Sequence, residues 1–323
     1  MDTLMPSQQR LRQPCTILLP LFNGAKFLDK SIENLLEISE PDDEILIVDD
    51  GSTDLTEENI SRLQKHDSRI NYIRREHQGL VDTLNFGLQK ASHELIARVD
   101  VDDSYAPNRL ILQVQFLEAN PEIVAVFTDY KMVNEFGTSL GIYPSAVTPE
   151  LTAFSLVSSQ RTAHPSVLFR RSSVIEIGGY QASDFPAEDL GLWIRLLQHG
   201  SIASIPSIVL NYTVHSRSIT NTRQLEMRKK SLELRKAFAN QYPILNFLTV
   251  INTLLLEYRR VPYRNLRTLY LIHDLVVFNA LTDKRYQGKI HKVVLQQVIA
   301  RNFALIPSIL YILLMKYRKT YLQ

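Results

Sequence analysis

Ile96-Ala97-Arg98-Val99-Asp100-Val101-Asp102-Asp103 is the stretch on which the reading of this chain turns. An apolar run stops, and three carboxylates follow within four residues. Charges of one sign clustered at a strand end repel one another unless a cation sits among them, and paired oxygen ligands suit Mg2+ or Mn2+. Such an ion keeps positions open for phosphate oxygens and stabilises the charge of a departing diphosphate. On this local pattern alone, a solvated acidic turn ahead of Pro107 is the competing reading.

Outward from that stretch, short apolar runs alternate with longer amphipathic ones. Residues 15–21, 44–48, 70–74 and 94–99 read as buried strands, and 25–38, 55–65, 79–91 and 107–119 as helices with apolar spacings of three and four. Strand then helix, repeated, predicts a parallel sheet with both faces covered, and ligands gather outside the carboxyl ends of such strands. Residues 123–130 and 166–169 continue the sheet, 144–163 reads as a connecting helix and loop, and 187–199 as an amphipathic helix stopped by Gly200.

Further polar clusters fall at element ends. The first strand ends in Leu19-Pro20-Leu21-Phe22-Asn23-Gly24 and the second in Val48-Asp49-Asp50-Gly51-Ser52-Thr53-Asp54. The latter carboxylates suit a base or ribose, and equally an Asp-Gly turn with a Ser/Thr/Asp helix cap. Glu188-Asp189 opens a helix, whose dipole favours the ionised form that a general base needs. A carboxylate there is also simply a stabilising charge, worth about 0.3–1 kcal/mol. His164-Pro165-Ser166 precedes an apolar strand, and Tyr212-Thr213-Val214-His215-Ser216 follows the apolar residues 208–210. His215 gains a role if it falls beside the acidic strand end, as a metal ligand when neutral or a phosphate contact when protonated.

Composition bounds the rest. The 323 residues are 45% hydrophobic and 22% charged, ordinary for a folded chain. The single cysteine, Cys15, excludes an internal disulfide framework and a cysteine zinc site, and points to a reducing cytoplasm. The first apolar run, 16–22, is too short for a secretory signal and is interrupted by Pro20. The net charge of +2 conceals an asymmetry: residues 221–323 hold 18 Lys+Arg against 5 Asp+Glu, leaving 18 against 29 for residues 1–220. The expected organisation is a loose terminus over 1–13, an α/β unit over 14–220 and a basic helical region over 221–323. Apolar stretches 244–256 and 303–315 fall short of the roughly 20 residues of a spanning helix. Flanked by Arg228-Lys229-Lys230, Arg259-Arg260 and Lys316-Tyr317-Arg318-Lys319, they read equally as helices lying on an anionic membrane surface and as a subdomain with a solvated basic face. Without a recognisable module or aromatic interleaving, no nucleic-acid partner is expected.

Taken in order, Pro20-Leu21-Phe22-Asn23, the Asp49-Asp50 stretch, Leu84-Asn85-Phe86-Gly87, the Arg98–Asp103 stretch, His164-Pro165-Ser166, Gly178-Gly179-Tyr180, Glu188-Asp189-Leu190-Gly191-Leu192-Trp193 and Tyr212-Thr213-Val214-His215 resemble the inverting nucleotide-sugar glycosyltransferases of glycosyltransferase family 2. The resemblance covers roughly residues 15–219. It implies the GT-A fold, an α/β architecture whose Rossmann-like, mostly parallel sheet is flanked by helices. It implies that Asp49 and Asp50 contact the donor nucleoside beside Pro20, Leu21 and Asn23, with Asn85 and Arg98 on the donor side and Asp100 nearer the ribose. Asp102 would ligate Mn2+ or Mg2+ on the diphosphate, with His215 able to approach it. Asp103, Glu188, Trp193 and His164 would support the site, and Asp189 would be the catalytic base. Thr213 stands where the family often has Arg, and Val101 replaces the usual Ala. The implied activity moves a sugar from a nucleoside-diphosphate sugar, UDP by family habit, to a hydroxyl of a glycan or lipid-linked acceptor in bacterial surface polysaccharide synthesis. The place of action would be the cytoplasm or, peripherally, the inner face of the plasma membrane. A degenerate nucleotide-sugar-binding partner without turnover is the alternative, against which the intact acids argue.

Overall fold

The computed structural model describes residues 11–146, 148–158, 162–215 and 222–239. Four strands run parallel in the spatial order β3 (Ile70–Arg74), β2 (Glu44–Asp49), β1 (Cys15–Leu21) and β4 (Leu95–Arg98). They are joined through α1 (Ala25–Ile38), α2 (Thr56–Gln64) and α3 (Leu80–Lys90). Alternation along the strands divides the core between two faces. Ile17, Leu19, Ile45, Ile47 and Ala97 point to one side, against Leu28, Ile32 and Leu35 of α1 and Ile60 of α2. Leu18, Leu46, Val48 and Ile96 point to the other, against Val81, Leu84 and Leu88 of α3. Each buried Leu, Ile or Val side chain among them stabilises the fold by about 1.5–3 kcal/mol.

Beyond β4 the sheet becomes mixed. After β5 (Ser104–Tyr105), α4 (Arg109–Ala119) leads to a hairpin of β6 (Ile123–Asn134) and β7 (Ser139–Tyr143), then to α5 (Pro149–Ser158). The strand β8 (Leu168–Arg170) lies antiparallel between β4 and β6, followed by α6 (Arg171–Glu176) and α7 (Glu188–Leu196). The long β9 (Ser201–Val214) runs parallel to β6 and pairs with β5 at its far edge. The last described element, α8 (Gln224–Ala239), packs on α5 and α7, with Ser231 and Phe238 buried. Among the described residues no helix is long and apolar enough to cross a membrane.

Three findings modify the expectations from sequence. The strand expected at 208–210 extends from Ser201 to Val214. Pro206 falls where the β6 register jumps from Ile205 to Ile208, a bulge in which its missing N–H breaks no ladder bond. The terminus expected to be loose through residue 13 is anchored earlier: Arg12 is buried against Asp43, whose Oδ1 also accepts the Cys15 N–H. Finally, β5 and β7 carry too short or too exposed an apolar pattern to be read in advance. The apolar stretches 244–256 and 303–315 lie outside the described residues.

Candidate active site

The carboxyl end of β4 delivers the acidic turn. Ligand oxygens of Asp100, Asp102 and Asp103 all lie within 4.8 Å of one another. Burial, with the charges of Asp100 and Asp102, raises the Asp103 carboxyl well above its ordinary range. Its Oδ1 accepts the Thr213 N–H at 2.7 Å, whereas its buried Oδ2 has no partner among the described residues. Asp100 is raised too, by burial and by Asp102 and Asp189, against the pull of Arg98. Arg98 donates to Asp100 Oδ2 at 2.6 Å; despite burial, the Asp100 charge holds the guanidinium protonated. His215, from the end of β9, places Nε2 2.7 Å from Asp102 Oδ2 and stacks on Phe27 of α1. An orphaned buried oxygen beside two further carboxylates is a donor set that fits a hard divalent cation. The structure thus brings His215 to the acids, the condition on which its role depended.

The carboxyl ends of β1 and β2 are built differently. Asp49 is fully buried: Oδ1 accepts from Ser52 N and Oγ at 2.9 and 2.6 Å, and Oδ2 accepts the Tyr72 hydroxyl at 2.7 Å. Asp50 accepts the N–H groups of Gln78 and Gly79 at 2.9 and 2.8 Å, with His77 Nδ1 2.8 Å from Oδ2. Both carboxylates therefore have internal partners, and Asp50 ties β2 to the loop entering α3. Pro20 and Leu21 are buried at the end of β1, where Leu21 O accepts the Asp50 N–H. Asn23 has a left-handed backbone (φ 54°), and its Oδ1 receives the Thr53 N–H at 2.8 Å.

Asp189 is half-buried in the first turn of α7, with Oδ1 accepting the N–H of Leu190 at 2.7 Å. Its charge reaches Asp100, so the head of α7 and the acidic turn share one electrostatic environment. Glu188 beside it is buried, and its Oε2 has no partner among the described residues. Burial and the Asp189 charge push its carboxyl up to about 7. The loop leading to α7 is clasped from α3: Asn85 Nδ2 donates to Tyr180 O at 2.8 Å and Asn85 Oδ1 accepts the Tyr180 N–H at 2.9 Å. Gly179 (φ 69°) is needed there, because a Cβ would stand 2.5 Å from Asn85 Oδ1. The Tyr180 hydroxyl lies 2.8 Å from His164 Nε2, and burial, with Arg98 nearby, keeps that imidazole neutral. Trp193 is wholly buried, edge-on to Phe127 and His164, within the core behind the site.

The motifs legible in sequence include Phe22 and Gly51 but neither residues 74–77, which complete the rim beside Asp50, nor the groups beneath the acidic turn. Gly51, Glu57, Arg74, Arg75, Glu76 and His77 line a cavity of about 640 Å³. Exposed Phe22, directly after β1, lies 4.5 Å from the His77 ring, centroid to centroid. Its signal in sequence was an aromatic at a strand's carboxyl end. Tyr105 and Arg109 gave none, since their neighbours come from distant strands.

The O-antigen biosynthesis glycosyltransferase WbnJ of Escherichia coli is 27% identical over 256 residues, which cover 75% of this chain and 95% of that protein. Among solved structures, S. aureus TarS 1-349 in complex with UDP-GlcNAc has a TM-score of 0.59 at 15% identity, covering 84% of this chain and 82% of its own. The mannosyltransferase PcManGT from Pyrobaculum calidifontis, in complex with GDP-Man and Mn2+, has a TM-score of 0.57 at 16% identity, covering 92% and 84%. At these identities the structural likeness is one of fold. The family model for glycosyl transferase family 2 matches residues 16–178, half of the chain, and includes the ends of both β2 and β4. Fold and family model agree, and this chain belongs to glycosyltransferase family 2 with the GT-A fold.

Proposed function

We propose that the protein is an inverting, metal-dependent glycosyltransferase that moves a sugar from a nucleoside-diphosphate sugar, UDP-linked, to an acceptor hydroxyl in surface polysaccharide assembly. The observation that carries this reading is the cluster at the carboxyl end of β4, where ligand oxygens of Asp100, Asp102 and Asp103 lie within 4.8 Å of one another and His215 Nε2 stands 2.7 Å from Asp102 Oδ2. The O-antigen role in the name of the Escherichia coli relative supports the polysaccharide assignment, and the UDP-GlcNAc complex of TarS supports the donor class.

In this reading Asp102, with Asp100, Asp103 and His215 around it, would hold Mn2+ or Mg2+. When bound, that ion neutralises charge on the diphosphate. The Mn2+ complex of PcManGT supports a divalent ion, and the unpartnered Asp103 Oδ2 supports a ligand at this turn. The nucleoside lies against Pro20, Leu21 and Asn23, in a pocket shaped by Asp49 and Asp50 and rimmed by Phe22 and His77. Asn85, His164 and Trp193 support the site from behind by fixing the loop that presents Asp189. Asp189 takes the proton of the acceptor hydroxyl as that oxygen attacks the anomeric carbon; the bond to the diphosphate oxygen breaks and configuration inverts. Glu188, buried beside it, supports the head of α7.

The test is product analysis with a panel of nucleotide sugars. Asp189→Asn is expected to keep donor binding and lose at least about 100-fold in transfer, and near-normal transfer by that variant removes the base assignment. Docking on an anionic lipid surface, where a lipid-linked acceptor would be met, belongs to the same proposal and is supported by the 18 Lys+Arg against 5 Asp+Glu over residues 221–323. Flotation with anionic liposomes at low salt checks it, and protein left at the bottom of the gradient excludes it.

A further inference from the structure

Arg109 occupies a position that charge alone disfavours. It is the first residue of α4, where the helix dipole opposes a cation, and its side chain is completely buried. Its contacts indicate what offsets that cost. Nη2 donates to Arg98 O at 3.0 Å and to Val167 O at 3.1 Å, and Nε donates to Gln113 Oε1 at 3.0 Å. Gln113 in turn donates through Nε2 to Val126 O and Ser166 O, so one Arg–Gln pair is bonded to carbonyls of β6, the end of β4 and the entry to β8.

The guanidinium also lies 4.3 Å over the ring of Tyr105, which links it to the acidic turn. The Tyr105 hydroxyl accepts the backbone N–H of Asp100 at 2.9 Å. Tyr105 is itself fixed from α1: its N–H donates to Asn34 Oδ1 at 2.7 Å, and Asn34 Nδ2 donates to its carbonyl at 3.0 Å. The turn is thus gripped at the Arg98 carbonyl, at the Asp100 amide and, through Thr213, at Asp103.

We infer that Arg109 and Tyr105 are positioning residues for donor binding: a buried brace that holds the Arg98–Asp103 turn in its ligand-ready shape. The inference rests on the reading of that turn as the cation and diphosphate site. Three carboxylates within 4.8 Å repel one another, and left unsupported they separate before any cation arrives. The brace holds them together in advance, so binding need not supply that ordering.

The experiment measures Mn2+ uptake by electron paramagnetic resonance and UDP affinity by calorimetry in the presence of Mn2+, with melting temperature recorded for every variant of the full chain. Tyr105→Phe keeps the ring and removes only the hydroxyl; a loss of about 3- to 10-fold in both affinities, with little change in melting temperature, is expected. Arg109→Lys keeps the charge and removes the planar fork, and a loss of about 10-fold or more is expected. The control is Arg171→Lys, because Arg171 bonds the carbonyls of Leu88 and Gln89 away from the site. It should lower the melting temperature and leave both affinities unchanged. Wild-type affinities in Tyr105→Phe overturn the brace, as does an Arg109→Lys whose only defect is a fall in melting temperature like that of the control. A wild-type protein that takes up neither Mn2+ nor UDP overturns the donor-site reading and the brace with it.

Discussion

The ends of β2 and β4 offer nearly the same letters, Val48-Asp49-Asp50-Gly51-Ser52 and Val99-Asp100-Val101-Asp102-Asp103-Ser104, and the molecule uses them in opposite ways. At β2 each carboxylate meets hydrogen-bond donors within the chain: Ser52 and Tyr72 for Asp49, Gln78 and Gly79 for Asp50. At β4 one buried oxygen of Asp103 has no donor among the described residues, and two of the three carboxyls are raised above their ordinary range. A carboxylate satisfied by amides holds a loop; carboxylates crowded against each other favour binding a cation. The first arrangement contributes stability, whereas the second draws on stability to prepare a ligand site.

This contrast can be broken from either side. The largest effect is expected from Asp102→Ala: Mn2+-dependent UDP affinity should fall at least about 100-fold in calorimetry, while the melting temperature holds or rises because a like charge has gone. Asp50→Ala should act on stability instead. With the amides of Gln78 and Gly79 left unpaired, urea denaturation should show a loss of about 2–4 kcal/mol, and Asp50→Asn, which keeps one acceptor, should lose less. An Asp50→Ala protein as stable as wild type would dissolve the contrast.

The smallest effect sharpens the comparison through pH. Because the folded state raises the Asp103 carboxyl, the unfolded chain binds fewer protons between the ordinary carboxylate range and the raised value, so this group's contribution to stability falls as pH rises through that interval. Asp103→Asn is always neutral and keeps an oxygen for the Thr213 N–H. Its melting temperature should therefore overtake that of the metal-free wild type by a few degrees as pH rises above the ordinary carboxylate range, and the gap should narrow as pH falls back toward that range. A gap that stays constant with pH would show that Asp103 ionises as freely in the folded chain as in the unfolded one.

Much of the first half was legible from periodicity. The helix expected over 25–38 is α1, and the expected strands at 15–21 and 70–74 are β1 and β3. Each of these segments shows its pattern within a dozen residues, and alternation alone determines which side chains face α1 and which face α3. The cluster of three acids was likewise visible, because all three fall within four consecutive residues directly after an apolar run. The long β9 was not, since Pro206 interrupts a strand that tolerates it only at a bulge against β6. Nor was the burial of Arg12, whose partner Asp43 stands immediately before β2, 31 residues on.

By itself, then, the sequence determined the alternating elements, the acidic turn after β4 and the charge asymmetry of the chain, all of which are local or additive properties. Tertiary structure decided which carboxylates are satisfied and which are not. Asp50 is answered by amides 28 and 29 residues away, Asp102 meets a histidine 113 residues away, and Asp189 acts on Asp100 from the first turn of α7. The physical reason is that a carboxylate's chemistry depends on the donors and charges within a few ångströms of it, and chain folding, not neighbourhood along the chain, supplies them.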